Sequence, residues 1–288
     1  MNASELTFGI EVECYISREN LQAAGWEVGG YHNGREIPDF VGWNAQRDSS
    51  LNSPPSYELA GVEVVSGVLT GAEGLAEVRR MLATLQRMGA KVNRTCGFHV
   101  HVGFAGRSVQ ELRRLVCLVA SHEEALYAVT GSRARRDSCY CKSVKDGAMN
   151  GFARPVRSHR EASGWCDRFR VLNLTNLLGD SARKPTVEFR VFAGTTNEVK
   201  ILGYIQLCLG LVSKAVAMRS AAPWHSRPVH NKSLAGYGPG RTAVSKLLWQ
   251  LGWRGDAAHH GVLDLAGVAK TKTELYRLAK KYDSGSEE

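Results

Sequence analysis

The amino-acid sequence predicts an α+β fold, in which strands and the helices that back them form one domain and a helical C-terminal appendage follows. Three observations carry this. Segments at 5–15, 57–66, 91–104 and 185–193 alternate apolar and polar residues with period two. Segments at 72–88, 108–129 and 201–212 instead hold apolar residues at helical spacing. No internal repeat or low-complexity tract interrupts the 288 residues, and 43% hydrophobic with 23% charged residues is a core-forming composition.

The first strand places Leu6, Phe8, Ile10, Val12 and Cys14 on one side and Glu5, Thr7, Gly9, Glu11 and Glu13 on the other. Residues 16–56 are rich in Gly, Asn, Ser and Pro and read mostly as loop. A second strand spans 57–66, where Val62 and Val64 alternate with Glu63 and Val65. Leu75, Val78, Leu82 and Leu85 then mark a helix over 72–88, with Gly89 at its C-terminal stop. Period two returns at 91–104. Ser108 with Glu111 forms a capping box for a long apolar helix reaching about 129.

Residues 130–167 are basic and turn-rich. Strands resume at 168–175 and 185–193, and Ile201, Leu202, Ile205, Leu209 and Val212 line the apolar side of a further helix. Beyond Pro223 the pattern thins to short helices at 242–251 and 272–282, with a frayed Ser-Gly-Ser-Glu-Glu end. The division expected is a sheet-forming domain over 1–221 and a helical extension over 222–288.

No run approaches twenty consecutive apolar residues, so no membrane span is expected. The start has neither the basic nor the apolar part of a secretion signal, and a cytoplasmic protein is expected. Seven cysteines, an odd number scattered over a long chain, do not make a disulfide scaffold; Cys139 and Cys141 form a C-x-C pair without a second pair at zinc spacing. The net charge of +9 favours anionic partners, and the excess gathers at Arg133–Arg136 and between Arg154 and Arg160.

The chemistry sits on strands of one design. Glu11 and Glu13 share a strand face because side chains repeat every two residues. His99 and His101 share a face opposite Phe98, Val100 and Val102, and Glu188 and Arg190 oppose Val187, Phe189 and Val191. Any one such pair is commonly a solvated edge or a surface ion pair. Several of them on apolar-backed strands of one chain argue for a shared ionisable face, to which Glu63 adds a fourth carboxylate. That much negative charge is costly without divalent cations, and mostly oxygen donors with imidazole suit Mg²⁺ or Mn²⁺ better than zinc.

Absent motifs narrow the classes further. There is no G-x-x-x-x-G-K-[ST], no G-x-G-x-x-G after a strand, no G-x-S-x-G and no H-E-x-x-H. The glycine-rich stretch Gly236–Thr242 precedes a helix and reads first as a flexible loop, second as a phosphate seat.

The motifs together resemble the signatures of the amidoligase family, within the glutamine synthetase-like carboxylate–amine ligases. They are Glu11-Val12-Glu13, Glu63-Val64-Val65-Ser66, Cys96 to Gly103 and Thr186 to Thr195, in that order. Trp43 with Asp48-Ser49-Ser50-Leu51, Arg136 with Tyr140-Cys141-Lys142, and Arg168-Phe169 with Leu172-Asn173-Leu174 extend the likeness across about residues 5–215.

The resemblance implies a curved antiparallel sheet with helices on its outer face and ATP and metals on the inner one. It implies Glu11, Glu13, Glu63, His99 and Glu188 as metal ligands for two or more Mg²⁺ or Mn²⁺ ions. His101 is expected near the nucleotide phosphates, Arg190 on the transferring phosphoryl group, and Arg136 and Arg168 as further phosphate contacts. Catalysis is expected to rest on Arg190, Glu188 and Glu63. The implied reaction joins a small-molecule or peptide carboxylate to an amine through an acyl phosphate, with neither Cys96 nor Cys141 as a nucleophile. Ser49 stands where the family pattern has Gly, and Gly67 where it often has Pro, so substrate loops differ. Asp48 and Glu58 are spare carboxylates.

Two other classes compete on the residues alone. A nucleotide-independent metal hydrolase or oxygenase explains the Glu and His pairs but gives the arginines no task. A nucleic-acid-binding or nucleic-acid-modifying protein explains the charge but not the Glu and His pairs.

Overall fold

The structure, a computed structural model, describes residues 3–51, 54–179, 185–224, 242–254, 257–258 and 268–285. Along the chain come β1 (Thr7–Ser17), α1 (Arg18–Ala23), β2 (Arg35–Ile37), β3 (Phe40–Gln46), β4 (Leu59–Val65), β5 (Leu69–Thr70) and α2 (Gly71–Arg87). They are followed by β6 (Gly97–Gly103), α3 (Val109–Ala128), α4 (His159–Ser163), β7 (Leu172–Asn173), α5 (Thr175–Leu178), β8 (Thr186–Ala193) and α6 (Glu198–Ala217). The chain ends in α7 (Ala243–Gln250) and α8 (Val268–Ser284).

The α+β expectation holds. One antiparallel sheet runs in the order β2-β3-β4-β1-β6-β8-β7, with β5 also paired to β1. Its apolar face is the one read from the alternation. Ile10 and Val12 of β1, Val64 of β4, Val100 of β6 and Phe189 of β8 join a single core with residues of α2, α3 and α6. Each such side chain contributes about 1.5–3 kcal/mol on burial. This one-sided burial explains the period-two pattern: the opposite face is left free for ionisable groups.

The helix signals act as read. Ser108 Oγ accepts from Glu111 N and the Glu111 carboxylate accepts from Ser108 N, closing the capping box of α3. Gly89 takes φ +65° just past α2, a left-handed conformation that a side chain would strain. By length and composition α6 could cross a membrane, but 78% of its most apolar stretch is buried. It packs against β6, α3 and α8, and its Tyr204 stacks on Phe192 with ring centroids 4.1 Å apart. The C-terminal helices do not hang free: Val244 and Leu247 of α7 and Leu275 and Leu278 of α8 enter the same core.

Three expectations need correction. Residues 16–56 are not mostly loop, for they hold α1, β2 and β3. Gly42, at φ +79°, interrupts β3 and masks its alternation, yet Trp43 and Ala45 are fully buried and the strand pairs with β4. The strand expected at 91–104 begins only at Gly97, because residues 93–96 turn on the Asn93 side chain, which accepts from Thr95. The strand at 168–175 shrinks to Leu172–Asn173 before α5 begins. The glycine-rich residues 236–241 and residues 286–288 of the end expected to fray lie outside the described residues, while Ser284 of that end closes α8.

Candidate active site

Register brings the ionisable pairs together. Glu13 lies opposite Glu63, Glu11 opposite His99, His101 opposite Glu188, and Glu188 opposite Asn173. All therefore project from the face turned away from the core. Between Phe98 and Val100 the β6–β8 register slips, so both Arg190 and Val191 answer the single His99. Such a bulge re-aims a side chain, and here Arg190 reaches back to pair with Glu188.

Glu11 is the hub. Its two oxygens meet His99 Nδ1 at 2.9 Å and His101 Nε2 at 3.0 Å. His99 also has Glu188 at 3.6 Å from Nδ1 and Glu13 at 3.8 Å from Nε2. Neutral donors hold the outer oxygens. Gly97 N and Ser50 Oγ donate to Glu13 at 2.6 and 3.2 Å, Gln46 Nε2 donates to Glu63 at 2.5 Å, and Asn173 Nδ2 donates to Glu188 at 2.6 Å.

Electrostatics split the carboxylates. Burial would raise Glu11, but the His101 and His99 imidazoles outweigh it and hold the carboxyl well below its usual range. Burial likewise opposes Glu188, yet His101 and Arg190 keep it low. Among the described residues no ion pair to Glu63 is found. Burial, and then the charge of Glu11, push it up to about 9. Burial would lower His101, whereas Glu11 and Glu188 raise it.

Two overlapping sets of donors could hold cations: Glu11 with His101 and Glu188, and Glu11 with Glu63 and His99. Within each set the ligand atoms lie within 4.8 Å of one another. The donors are mostly carboxylate oxygen with one imidazole per set, which suits Mg²⁺ or Mn²⁺. A carboxyl driven to about 9 by burial and by neighbouring negative charge is a group whose ionisation a divalent cation would restore. The donor set fits.

Glu11, Glu13, Glu63, His99, His101, Glu188 and Arg190 are thus gathered on one face. His101 belongs to a candidate metal set as well as standing toward Glu188. Arg136 is not gathered there: its guanidinium pairs with Glu124 of α3, with Nη2 at 3.0 Å, and lies over the Tyr127 ring. Arg168 is half-buried on the segment leading into β7. Glu58 is exposed, while Asp48 accepts from Ser50 N at 2.7 Å and its charge also raises Glu63. Cys96 and Cys141 are buried, which lifts both to about 11 and keeps them as thiols near neutral pH.

Sequence reasoning gave no role to Gln46, Ser50, Asn173, the Gly97 amide or Arg135, although Ser50, Gly97 and Asn173 lie within the motifs. Four of these are neutral, and neutral polar residues carry no signal until register shows which carboxylate they touch.

A family model for amidoligase enzymes matches residues 4–212, most of the chain. A search of curated proteins finds no match. Among solved structures the chain is similar to one titled "Crystal structure of the complex between Prokaryotic Ubiquitin-like Protein Pup and its Ligase PafA", with TM-score 0.49 and 9% identity over 99% of this chain and 65% of that chain. The chain thus spans just under two thirds of that structure's chain.

Proposed function

The chain belongs to the amidoligase family, and on that premise we propose that it is an ATP-dependent ligase joining a carboxylate to an amine. The observation that carries this reading is the ionisable face itself. Three carboxylates and two imidazoles there offer two cation-sized donor sets, with the buried Arg190 guanidinium against one of them. A hydrolase would use the donor sets but leaves that guanidinium without a task.

In the proposed reaction an oxygen of the substrate carboxylate bonds to the γ-phosphorus of ATP and ADP leaves. The amine nitrogen then bonds to the acyl carbon of the resulting acyl phosphate, phosphate departs, and the amine gives up a proton. Phosphorylation is needed because a carboxylate is a poor electrophile. Two or more Mg²⁺ or Mn²⁺ ions, held by Glu11, Glu13, Glu63, His99 and Glu188, would neutralise phosphate charge.

The chain's own residues do the rest. Glu188, braced by Asn173 and Arg190, presents one oxygen toward the donor set. Arg190 is placed to stabilise a transferring phosphoryl group, and preorganised charge of this kind is the main resource of phosphoryl transfer. His101, 3.0 Å from Glu11, is assigned a contact to the nucleotide phosphates. Arg168 remains a candidate for an outer phosphate contact. We assign the chemistry to residues 1–221 and treat 222–288 as a helical extension that braces α3 and α6. The substrates are a small-molecule or peptide acid and amine, and the compartment is the cytoplasm.

The test is ADP release with Mg²⁺ or Mn²⁺ over a panel of amino acids, polyamines and peptides. Release that requires both an acid and an amine supports the proposal. Metal-dependent hydrolysis that proceeds at the same rate without ATP sinks it.

A further inference from the structure

Beside the ionisable face, one edge of the sheet is left unfilled. Tyr15 exchanges both of its main-chain hydrogen bonds with Lys91, on the side away from β4. Antiparallel alternation then fixes the rest of this end of the sheet. Cys14 and Ile16 bond to Val62 and Ala60, while Gly61, opposite Tyr15, turns its N–H and C=O outward. Two residues on, Glu63 turns the same way and is met by Gln46 of β3. There β3 ends: Arg47 N donates to Gly29 O, and the chain turns through Ser49–Leu51. In the other direction Leu59 N is taken by Ser56 O. Among the described residues nothing meets the N–H or C=O of Gly61, which is half-buried.

The place that β3 would fill by continuing is a groove of about 630 Å³. Ala60 and Gly61 line it together with Leu21 and Trp26, which belong to the core, and Leu51, which packs with Tyr15 on the other face. The groove therefore lies at the sheet edge, between the two faces. Arg47 and Asp48 line it as well. Asp48 is near enough for its charge to act on Glu63. Arg47 is exposed, and among the described residues no ion pair to it is found. Gly61 and Glu63 are about 7 Å apart along the strand, so the groove ends about two residues' reach from the donor set that contains Glu63.

An outward N–H and C=O on a sheet edge are matched by a second main chain, which accepts from one and donates to the other. A free amino acid or a polyamine has no amide with which to do both. We propose that this groove binds an extended peptide as an added strand on the edge of β4, with an acidic side chain of that peptide against Arg47, and that the peptide carries one of the two groups the ligase joins. The last clause rests on the ligase reading above, and it narrows the substrate class from small molecule or peptide to peptide.

Gly61 itself cannot be varied, because a Cβ there would lie 2.6 Å from Leu51 Cβ and O. The experiment instead varies the peptide and Arg47. Fluorescent hexapeptides with one position fixed as Asp and the others varied are titrated into the full-length protein without nucleotide, and hydrogen exchange at the Gly61 amide is followed by NMR. Members of the set should bind with Kd below about 100 μM, and the Gly61 amide should exchange freely alone and at least about tenfold more slowly with peptide bound. Methylating one backbone nitrogen of the tightest peptide should weaken it about tenfold, the loss of one main-chain hydrogen bond. Arg47→Glu changes an exposed residue and keeps the fold; it should prefer the twin peptide with Lys in place of Asp.

No binding within the set overturns the proposal. So does a Gly61 amide that is already slow in the free protein or unchanged by peptide, indifference to every backbone methylation, or an unaltered preference in Arg47→Glu. A peptide that binds as expected but never stimulates ADP release, while small acids and amines do, overturns its role as a substrate. These titrations contain no nucleotide, so they can fail while acid- and amine-dependent ADP release succeeds; failure of ADP release with every pair sinks the ligase reading instead.

Discussion

Glu13 and Glu63 are direct cross-strand partners on β1 and β4, two buried carboxylates facing each other on one side of the sheet. Like charges in that position are destabilising. The two are not equivalent. Glu13 accepts from the Gly97 amide and from Ser50, whereas Glu63 has the amide of Gln46 and the negative charges of Glu11 and Asp48 around it. The pair is therefore a stability cost once Glu63 ionises, near pH 9.

That cost has a pH signature. The folded pKa of Glu63 is about 9, against about 4.5 when unfolded. Between those values the folded state holds one more proton than the unfolded state. Stability of the metal-free protein should therefore fall as pH rises, by about 1.4 kcal/mol per unit from this group. Urea denaturation from pH 5 to 9 measures the slope. Glu63→Gln should flatten it, and an unchanged slope in that variant would show that Glu63 ionises normally.

Glu188→Gln is expected to keep the fold, because the side chain keeps its shape and its one remaining oxygen can still accept from Asn173 or Arg190. Turnover should drop by about 10²–10³, the scale for removing one preorganised charge contact. Steady-state ADP release together with a melting curve checks both halves. Near-normal turnover would remove Glu188 from the mechanism.

Gly97→Ala tests the crowding beneath His99. The added methyl would sit 2.7 Å from His99 Nε2, so the imidazole must shift from the position it holds against Glu11. Mn²⁺ affinity should fall by about 10–100-fold, as it does when the support of a metal-binding histidine is lost. Titration calorimetry is the readout. Wild-type affinity in a folded Gly97→Ala would mean that His99 does not bind the ion.

Glu123 anchors the basic stretch. Its oxygens accept from Ser143 Oγ at 2.6 Å and Val144 N at 2.7 Å, and the residue is buried. Glu123→Ala leaves both donors unsatisfied, at about 1–3 kcal/mol each. The loss should show in denaturation and as faster amide exchange at Val144. Exchange that stays slow would indicate another partner for that amide.

Much of this was legible from residue order alone. Period two in β1, β6 and β8 separates apolar from ionisable faces, since alternation is a property of the strand itself. The capping box of α3 and the stop at Gly89 are local for the same reason. Glu11, Glu13, Glu63, His99, His101, Glu188 and Arg190 could therefore be named as one face before any contact was known.

Other features required the folded chain. Pairing across tens of residues decides that Glu13 meets Glu63, that Gln46 and Asn173 donate to the outer carboxylates, and that Gly97 must lack a side chain. The opposite directions of Arg135 and Arg136 have the same origin. Both lie in one basic run, and neither composition nor spacing distinguishes them. A single tight turn sends one guanidinium to Glu124 at the surface and the other beneath the cluster, because side-chain direction depends on backbone path and packing rather than on residue type.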